Sequence, residues 1–392
     1  MPGQKPLGIT GNEPQLEVTR ALSSEEFFGI RPGEGLPATL FSLLFLVLTT
    51  VHFAAKSVRQ ASFIDALGAE NLPWVYLGVA VVSFPILVLY SRLAARFRVA
   101  MLILAFTLLH IAALVVFFLL FGLGRDWVAV LYYLWLGMAF AIAVSQFWTY
   151  AIQVFDPRQA RRLFAVIGAG GLLGATLGGG LAVAVTRFAG TRTTLLAAAS
   201  FLLLVPVLVV LIERSREGAT SSAGRPLGSR HEDARGGLRT LRGSRLLGLI
   251  SFLMLSTVMV GQLVQWQFYW YVQKNTDRLD QRTAVIGTAF ILMGVAGFLF
   301  QIFFTRRIHK TLGVGVGMRI LPGSVAAAQL AVVLAIVAGS GAIYPLVWVL
   351  LLTESSLRHS LDQATRELLF LPVAEKLRVQ AKAFIDVFVK RF

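Results

Sequence analysis

Pro37-Ala-Thr-Leu-Phe-Ser-Leu-Leu-Phe-Leu-Val-Leu-Thr-Thr-Val-His-Phe-Ala-Ala55 runs for 19 residues without an acidic side chain, a lysine or an arginine. Coiled as a helix at about 1.5 Å per residue, such a run crosses roughly 30 Å of hydrocarbon. Its apolar residues are continuous, with none of the strict alternation of a barrel strand, and a lipid-facing backbone must satisfy its own hydrogen bonds. The stretch therefore reads as a membrane-spanning helix. The residues before it contain no apolar core of a cleavable signal, so this span is expected to act as its own anchor.

Working outward, the same pattern recurs at Leu72 to Ser91, Val99 to Leu123, Trp127 to Phe155, Leu163 to Thr186, Thr193 to Ile212, Leu246 to Gln273, Thr283 to Thr305 and Ile320 to Ala338. A tenth run starts at Gly341 and stays apolar only to Thr353. Beyond it, Glu354, Arg358, Asp362 and Arg366 recur every fourth residue with alternating sign, which predicts a polar-faced continuation of the helix. Whole-chain composition agrees. Of 392 residues, 56% are hydrophobic and 14% charged, with mean hydropathy +0.73, against about 25% charged in soluble domains.

The net charge of +16 would suggest nucleic acid in a soluble chain. Sorted by alternate loops, however, 28 of the 36 basic residues fall on the side of the N-terminus. That is the bias of cytoplasmic loops, so a multi-pass protein of the inner (cytoplasmic) membrane with both termini cytoplasmic is expected, and no nucleic-acid partner. The longest break, 213–245, is rich in Arg, Gly and Ser. It divides the chain into an N-terminal arm (1–36), a six-helix bundle (37–212), a basic linker (213–245), a four-helix part (246–371) and a basic C-terminal segment (372–392). Beside a membrane such a linker either is attracted to anionic lipid or gathers a partner. A six-plus-six carrier has this layout, and basic turns follow the second span (Arg92 to Arg98) and the eighth (Arg306 to Lys310). The first turn is similar to the loop motif of the major facilitator superfamily, with Ala95 where that motif has Asp.

Charges and polar groups at membrane depth mark candidate sites. His52, Lys56 and Arg59 share a helical face by their i, i+4, i+7 spacing, and form either a stripe for an anionic solute or a set snorkelling to the interface. Gln146 and Gln153, and Gln262 and Gln265 among Trp266, Tyr269, Trp270 and Tyr271, either recognise a base or sugar or join helices. Gly170, Gly174 and Gly178 form a small-residue stripe for close helix packing, which also suits sliding during a conformational change. With no cysteine, no metal-ligand cluster and no nucleophile beside a base, the chain is not expected to be an enzyme or to need a metal or cofactor.

Several stretches together resemble the plastid and bacterial ATP/ADP antiporter family, whose fold is major-facilitator-like. They are Phe28-Gly-Ile-Arg-Pro-Gly-Glu34, Lys56-Ser-Val-Arg-Gln-Ala-Ser-Phe63, Leu72-Pro-Trp-Val-Tyr76, Phe147-Trp148 and Phe155-Asp-Pro-Arg-Gln-Ala-Arg-Arg-Leu-Phe164. Ser356-Leu-Arg-His-Ser360, Arg366-Glu-Leu-Leu-Phe-Leu-Pro372 and Ala381-Lys-Ala-Phe-Ile-Asp386 complete the series. The resemblance implies nucleotide exchange with Lys56 as a substrate-binding residue and Lys382 as a further basic one. It also implies acidic residues at positions held here by Gln153 and Gln265, whose amides keep the size but lose the charge. Two more helices would follow Asp386 in that family, so the chain is expected to be a fragment, a degenerate relative or a subunit completed by a partner chain. The alternative is a membrane anchor or sensor that keeps the carrier fold without transporting.

Overall fold

A computed structural model describes residues 34–94, 96–217, 245–362, 365, 366 and 369, and the fold is an all-α bundle. The helices are α1 (Gly35–Leu67), α2 (Leu72–Ala94), α3 (Val99–Leu120), α4 (Asp126–Val154), α5 (Pro157–Ala189), α6 (Thr193–Leu202) and α7 (Leu204–Glu217). After the linker come α8 (Arg245–Lys274), α9 (Leu279–Phe300), α10 (Arg306–Thr311), α11 (Gly313–Val337) and α12 (Ile343–Leu357). Among the described residues, eight stretches are long and apolar enough to cross a membrane, with α6 and α7 counted as one. Helices α2 and α12 stand where the other two apolar runs of the sequence were expected, and are not among those eight. Trp74, Phe252, Phe303 and Leu203 are among many large apolar side chains that face outward, as a lipid-facing surface requires.

Local chemistry sets the breaks. The sixth span parts at Leu203 because Pro206 lacks an N–H and its ring crowds the carbonyl of Leu202, four residues back. Helix α5 begins on a reciprocal box: the Gln159 N–H donates to Asp156 Oδ1 at 3.0 Å, and the Asp156 N–H donates to Gln159 Oε1 at 3.1 Å, with Pro157 as the first helical residue. It ends at Gly190, whose φ of 84° a side chain would strain.

Helix α5 is the keel of the bundle. Along one face, a Cβ at Gly170 would stand 2.5 Å from the Ser42 carbonyl oxygen, and one at Gly174 the same distance from that of Leu46. At Gly178 it would collide with the carbonyl of Thr50 and lie 3.0 Å from the Ala54 nitrogen. These obstacles are α1 backbone, which no rotamer change can clear. On the other face Gly179 abuts Gly287 of α9, and Thr176 abuts Gly294 of the same helix. The keel thus joins the helices before the linker to those after it.

Two cores follow from this arrangement. One draws only on residues between Ala38 and Ile212. The second joins Ala61, Phe63, Ile64, Leu72 and Tyr133 to Val264, Phe268, Phe290, Leu350 and Leu357 across the divide. Every member of the second core from the first half lies toward the C-terminal end of α1 or the start of α2, apart from Tyr133 in the first turns of α4. The halves are therefore packed together from the end away from the linker, here called the far end, in to the middle of the bundle.

Gly178→Ala should lower the melting temperature of the detergent-solubilised protein, since the overpacking costs about 1–3 kcal/mol. Gly180 has nothing within 4 Å of its Cβ position, so Gly180→Ala should leave the melting temperature unchanged or raise it. Equal effects from the two substitutions would contradict the backbone contact.

Candidate functional site

Lys56 stands 11 residues before Leu67, where α1 ends, and Glu354 stands 11 residues after Ile343, where α12 begins. Phe290 has the same place relative to Leu279 at the start of α9. At about 1.5 Å per residue, all three lie roughly 17 Å in from the far end, near the middle of a bilayer core. The parity of the helices thus brings side chains of both halves to one depth.

The Lys56 ammonium stands 5.0 Å from the centre of the Phe290 ring and 5.7 Å from that of Phe53, which meet edge to face. Arg59 lays its guanidinium 4.2 Å from the centre of the Tyr133 ring, a cation held by an aromatic face. Tyr133 in turn packs edge to face on Phe63 and beside Tyr76. Tyr132 donates from its hydroxyl to the Ala55 carbonyl at 3.0 Å, which pins α1 to α4 at this level. His52 stacks on Phe140 at 3.5 Å between centroids. Among the described residues, neither Lys56 nor Arg59 has a carboxylate within ion-pair distance, and Arg59 Nε is buried without a hydrogen-bond partner. So the sequence stripe is real on α1 but divides in space: His52 and Arg59 meet α4, and Lys56 meets α9.

The charged run after the tenth span continues the helix as expected, and its carboxylates are buried. Glu354 is 1% exposed and Asp362 is 4% exposed. Arg358 Nε lies 2.9 Å from Glu354 Oε1, and Arg366 Nη2 lies 3.0 Å from Asp362 Oδ2. From Arg358 to Asp362 the helix widens into a π turn, a form common at functional sites. Lys56 is near enough for the charges of Arg59, Arg358 and Glu354 to act on it. Helix α8 makes room: a Cβ at Gly261 would fall 2.5 Å from Arg358 Nη1 and 2.6 Å from Glu354 Oε1. One turn on is Gln265, buried, and one turn further is Tyr269, buried beside Gln60, Arg59 and Tyr133.

Gln265 thus lies on the α8 face that lines this cluster, whereas Gln153 does not approach it. Gln153 sits 13 residues past Phe140 on α4, about 20 Å nearer the linker end. Its companion Gln146 donates to the Leu102 carbonyl at 3.3 Å, a helix-joining bond inside the first half. His110 accepts a hydrogen bond from Trp135 Nε1 at 3.1 Å and lines a small apolar cavity there with Gln146. Lys382 and the linker residues 218–244 lie outside the described residues. Sequence reasoning missed Glu354, Arg358, Gln60 and Tyr133 as site residues. A length argument was available for the first two: Gly341 to Thr353 spans only about 20 Å as helix, too short for a membrane, so the charges beyond it had to lie inside.

Polar contacts between the halves, among the described residues, lie at the far end. The Thr191 N–H and hydroxyl donate to Asp280 Oδ1 at 2.8 and 2.6 Å. That hydroxyl also meets Thr283 Oγ1 at 2.9 Å. Arg282 pairs with Asp65. Trp266 Nε1 donates to the Ala69 carbonyl at 2.8 Å, and the Ala69 N–H donates to Gln273 Oε1 at 2.7 Å. The site is closed off on this side. If Asp280 holds the seal, Asp280→Ala should lengthen the distance between spin labels at Phe188→Cys and Gln281→Cys, measured by pulsed electron resonance. An unchanged distance distribution would rule that out.

No family model and no curated protein matches the chain. Among solved structures it is similar to a bacterial homologue of the iron transporter ferroportin in an inward-facing state, with TM-score 0.64, 14% identity, and 90% of this chain covering 88% of that one. It is also similar to a bacterial homologue of the human lysosomal transporter Spinster, inward-facing and unoccupied, with TM-score 0.54, 13% identity, and 92% of this chain covering 80% of that one. The chain has the major-facilitator-like helical fold of a multi-pass membrane protein.

Proposed function

We propose that the protein is a secondary transporter that exchanges an anionic solute across the inner (cytoplasmic) membrane by alternating access, with ATP, ADP or another nucleotide as leading candidate. The observation that carries this reading is the pair of cations Lys56 and Arg59, which lack an ion-pair partner among the described residues. They stand at mid-membrane depth between the two halves, with Arg358 nearby. Charges in that position are expensive unless they serve a passing ligand. Phosphate oxygens are suitable partners through charge-assisted hydrogen bonds. Both termini and the basic linker are assigned to the cytoplasm, from the loop charge bias. On that assignment the far-end contacts close the outer side, in keeping with the inward-facing state of the two similar structures. The amides at Gln153 and Gln265, where the antiporter resemblance calls for carboxylates, favour a second reading: a carrier fold kept as a non-transporting anchor or sensor.

Proteoliposomes loaded with unlabelled ADP should take up labelled ATP, ADP or another phosphorylated solute by counter-exchange. Lys56→Ala should cut the rate at subsaturating solute by about 10- to 100-fold, the worth of one lost charge-assisted hydrogen bond. Arg59→Lys should also impair exchange, since an ammonium cannot reproduce the planar fork. Absence of counter-exchange for every phosphorylated solute tested, from protein shown to be folded, would favour the anchor or sensor.

A further inference from the structure

The least expected group in the central cluster is a carboxylate. Glu354 is 1% exposed at membrane depth, the environment in which an acid is hardest to keep. Its ion contact with Arg358 is close, at 2.9 Å, yet neither Glu354 oxygen nor Arg358 Nε has a hydrogen-bond partner of good geometry. A buried pair that serves only stability satisfies its lone pairs and protons, because desolvation otherwise outweighs attraction. Here the carboxylate is held by charge alone, in a space that Gly261 leaves open. Its charge and that of Arg358 both reach Lys56, on the opposite half of the molecule.

We infer that Glu354 is an internal counter-anion, which balances Lys56 and Arg358 when the site is empty and is displaced from them by the anionic group of the solute. The inference rests on the transporter reading and adds what the empty carrier does. To change sides, a carrier must pass through a state in which the site is sealed at both ends. With Lys56 and Arg358 uncompensated, that state buries two like charges without water and becomes a barrier. Glu354 lowers the barrier, because it moves with the C-terminal half while acting on a lysine of the N-terminal half. The empty protein therefore reorients, and the carrier supports net flux as well as exchange. Arg59 does not need the same service, since its guanidinium rests on the face of Tyr133. Asp362 does not supply it, since it is paired with Arg366 two turns along from Glu354.

Because the chain contains no cysteine, a single reporter can follow this movement without any solute. Thr283 is fully buried in the far-end seal, so Thr283→Cys reacts with a maleimide only when that end opens. In full-length protein in nanodiscs, the reporter should label measurably with Glu354 present. With Glu354→Gln it should label at least tenfold more slowly. The double variant Lys56→Met with Glu354→Gln restores the charge balance and should return most of the rate, and Lys56→Met alone should label no more slowly than the parent. A parent that never labels, Glu354→Gln that labels as fast as the parent, or a double variant as slow as Glu354→Gln would each overturn the inference. If Glu354→Gln does not fold, the double variant decides: a rate under a tenth of the parent's makes Glu354 structural. Absent flux in liposomes with the labelling order intact sinks the transporter reading instead, so the two failures are distinct.

Discussion

Everything in this bundle depends on how closely α5 approaches its two neighbours. Without side chains at Gly170, Gly174 and Gly178, the backbone of α1 lies against the backbone of α5, and Gly179 does the same for α9. In lipid there is no hydrophobic drive between helices, so contacts of this kind supply much of the attraction. The stripe also fixes the depth of α1. Lys56 and Arg59 sit on the stretch of α1 just beyond the last of these contacts, at Ala54. The register of the cations is thus a product of three missing side chains on another helix.

Electrostatics then decide what those cations can be used for. A lysine near a helix end reaches the interface along its own stem, and costs little. Lys56 has no such exit, because α1 continues for 11 residues to Leu67 and the far end is closed over it by the Asp280, Arg282 and Ala69 contacts. The aromatic faces of Phe53, Phe290 and Tyr133 soften the penalty without neutralising the charge. What remains is a cationic site with a single nearby carboxylate acting on it, in Glu354, among the described residues. That is a suitable resting condition for a site that must bind an anion and later release it.

The fold was legible in the sequence because its signals are long and redundant. Ten apolar runs, a glycine stripe and a basic interruption each constrain the same architecture. Site residues were legible only where one helix carried the pattern. The i, i+4, i+7 spacing of His52, Lys56 and Arg59 is visible along α1, but nothing in it says that Lys56 turns to α9 while Arg59 turns to Tyr133 on α4. The i, i+4 ladder of Glu354, Arg358, Asp362 and Arg366 gave a polar helix face but not what covers it. Spacing tells which residues share a face, and only tertiary packing tells whether water or protein covers it. Gln153 and Gln265 are the converse case. They look equivalent as lone amides among aromatics, yet one lies on the face of α8 that meets the charges and the other about 20 Å away along α4.

The asymmetry between the two ends follows from the same packing. Side chains that weld the halves belong to the last three turns of α1, the first turns of α2 and α4, the first half of α9, the end of α8, and α11 and α12. Toward the linker end, the start of α1 is tied to α5 of its own half, where Glu34 accepts from Arg162 at 2.8 Å and from Gln159 at 3.3 Å. A rigid joint within each half and a polar seal between them that can part is the condition for rocking. The Thr191, Asp280 and Thr283 cluster can part at the cost of a few hydrogen bonds that water will replace. By contrast, the α1 and α5 backbones cannot part without opening a void where water has nothing to bind. Motion should therefore run through the far-end seal and around the face of α5 that meets α9, with α1 carried as part of the first half.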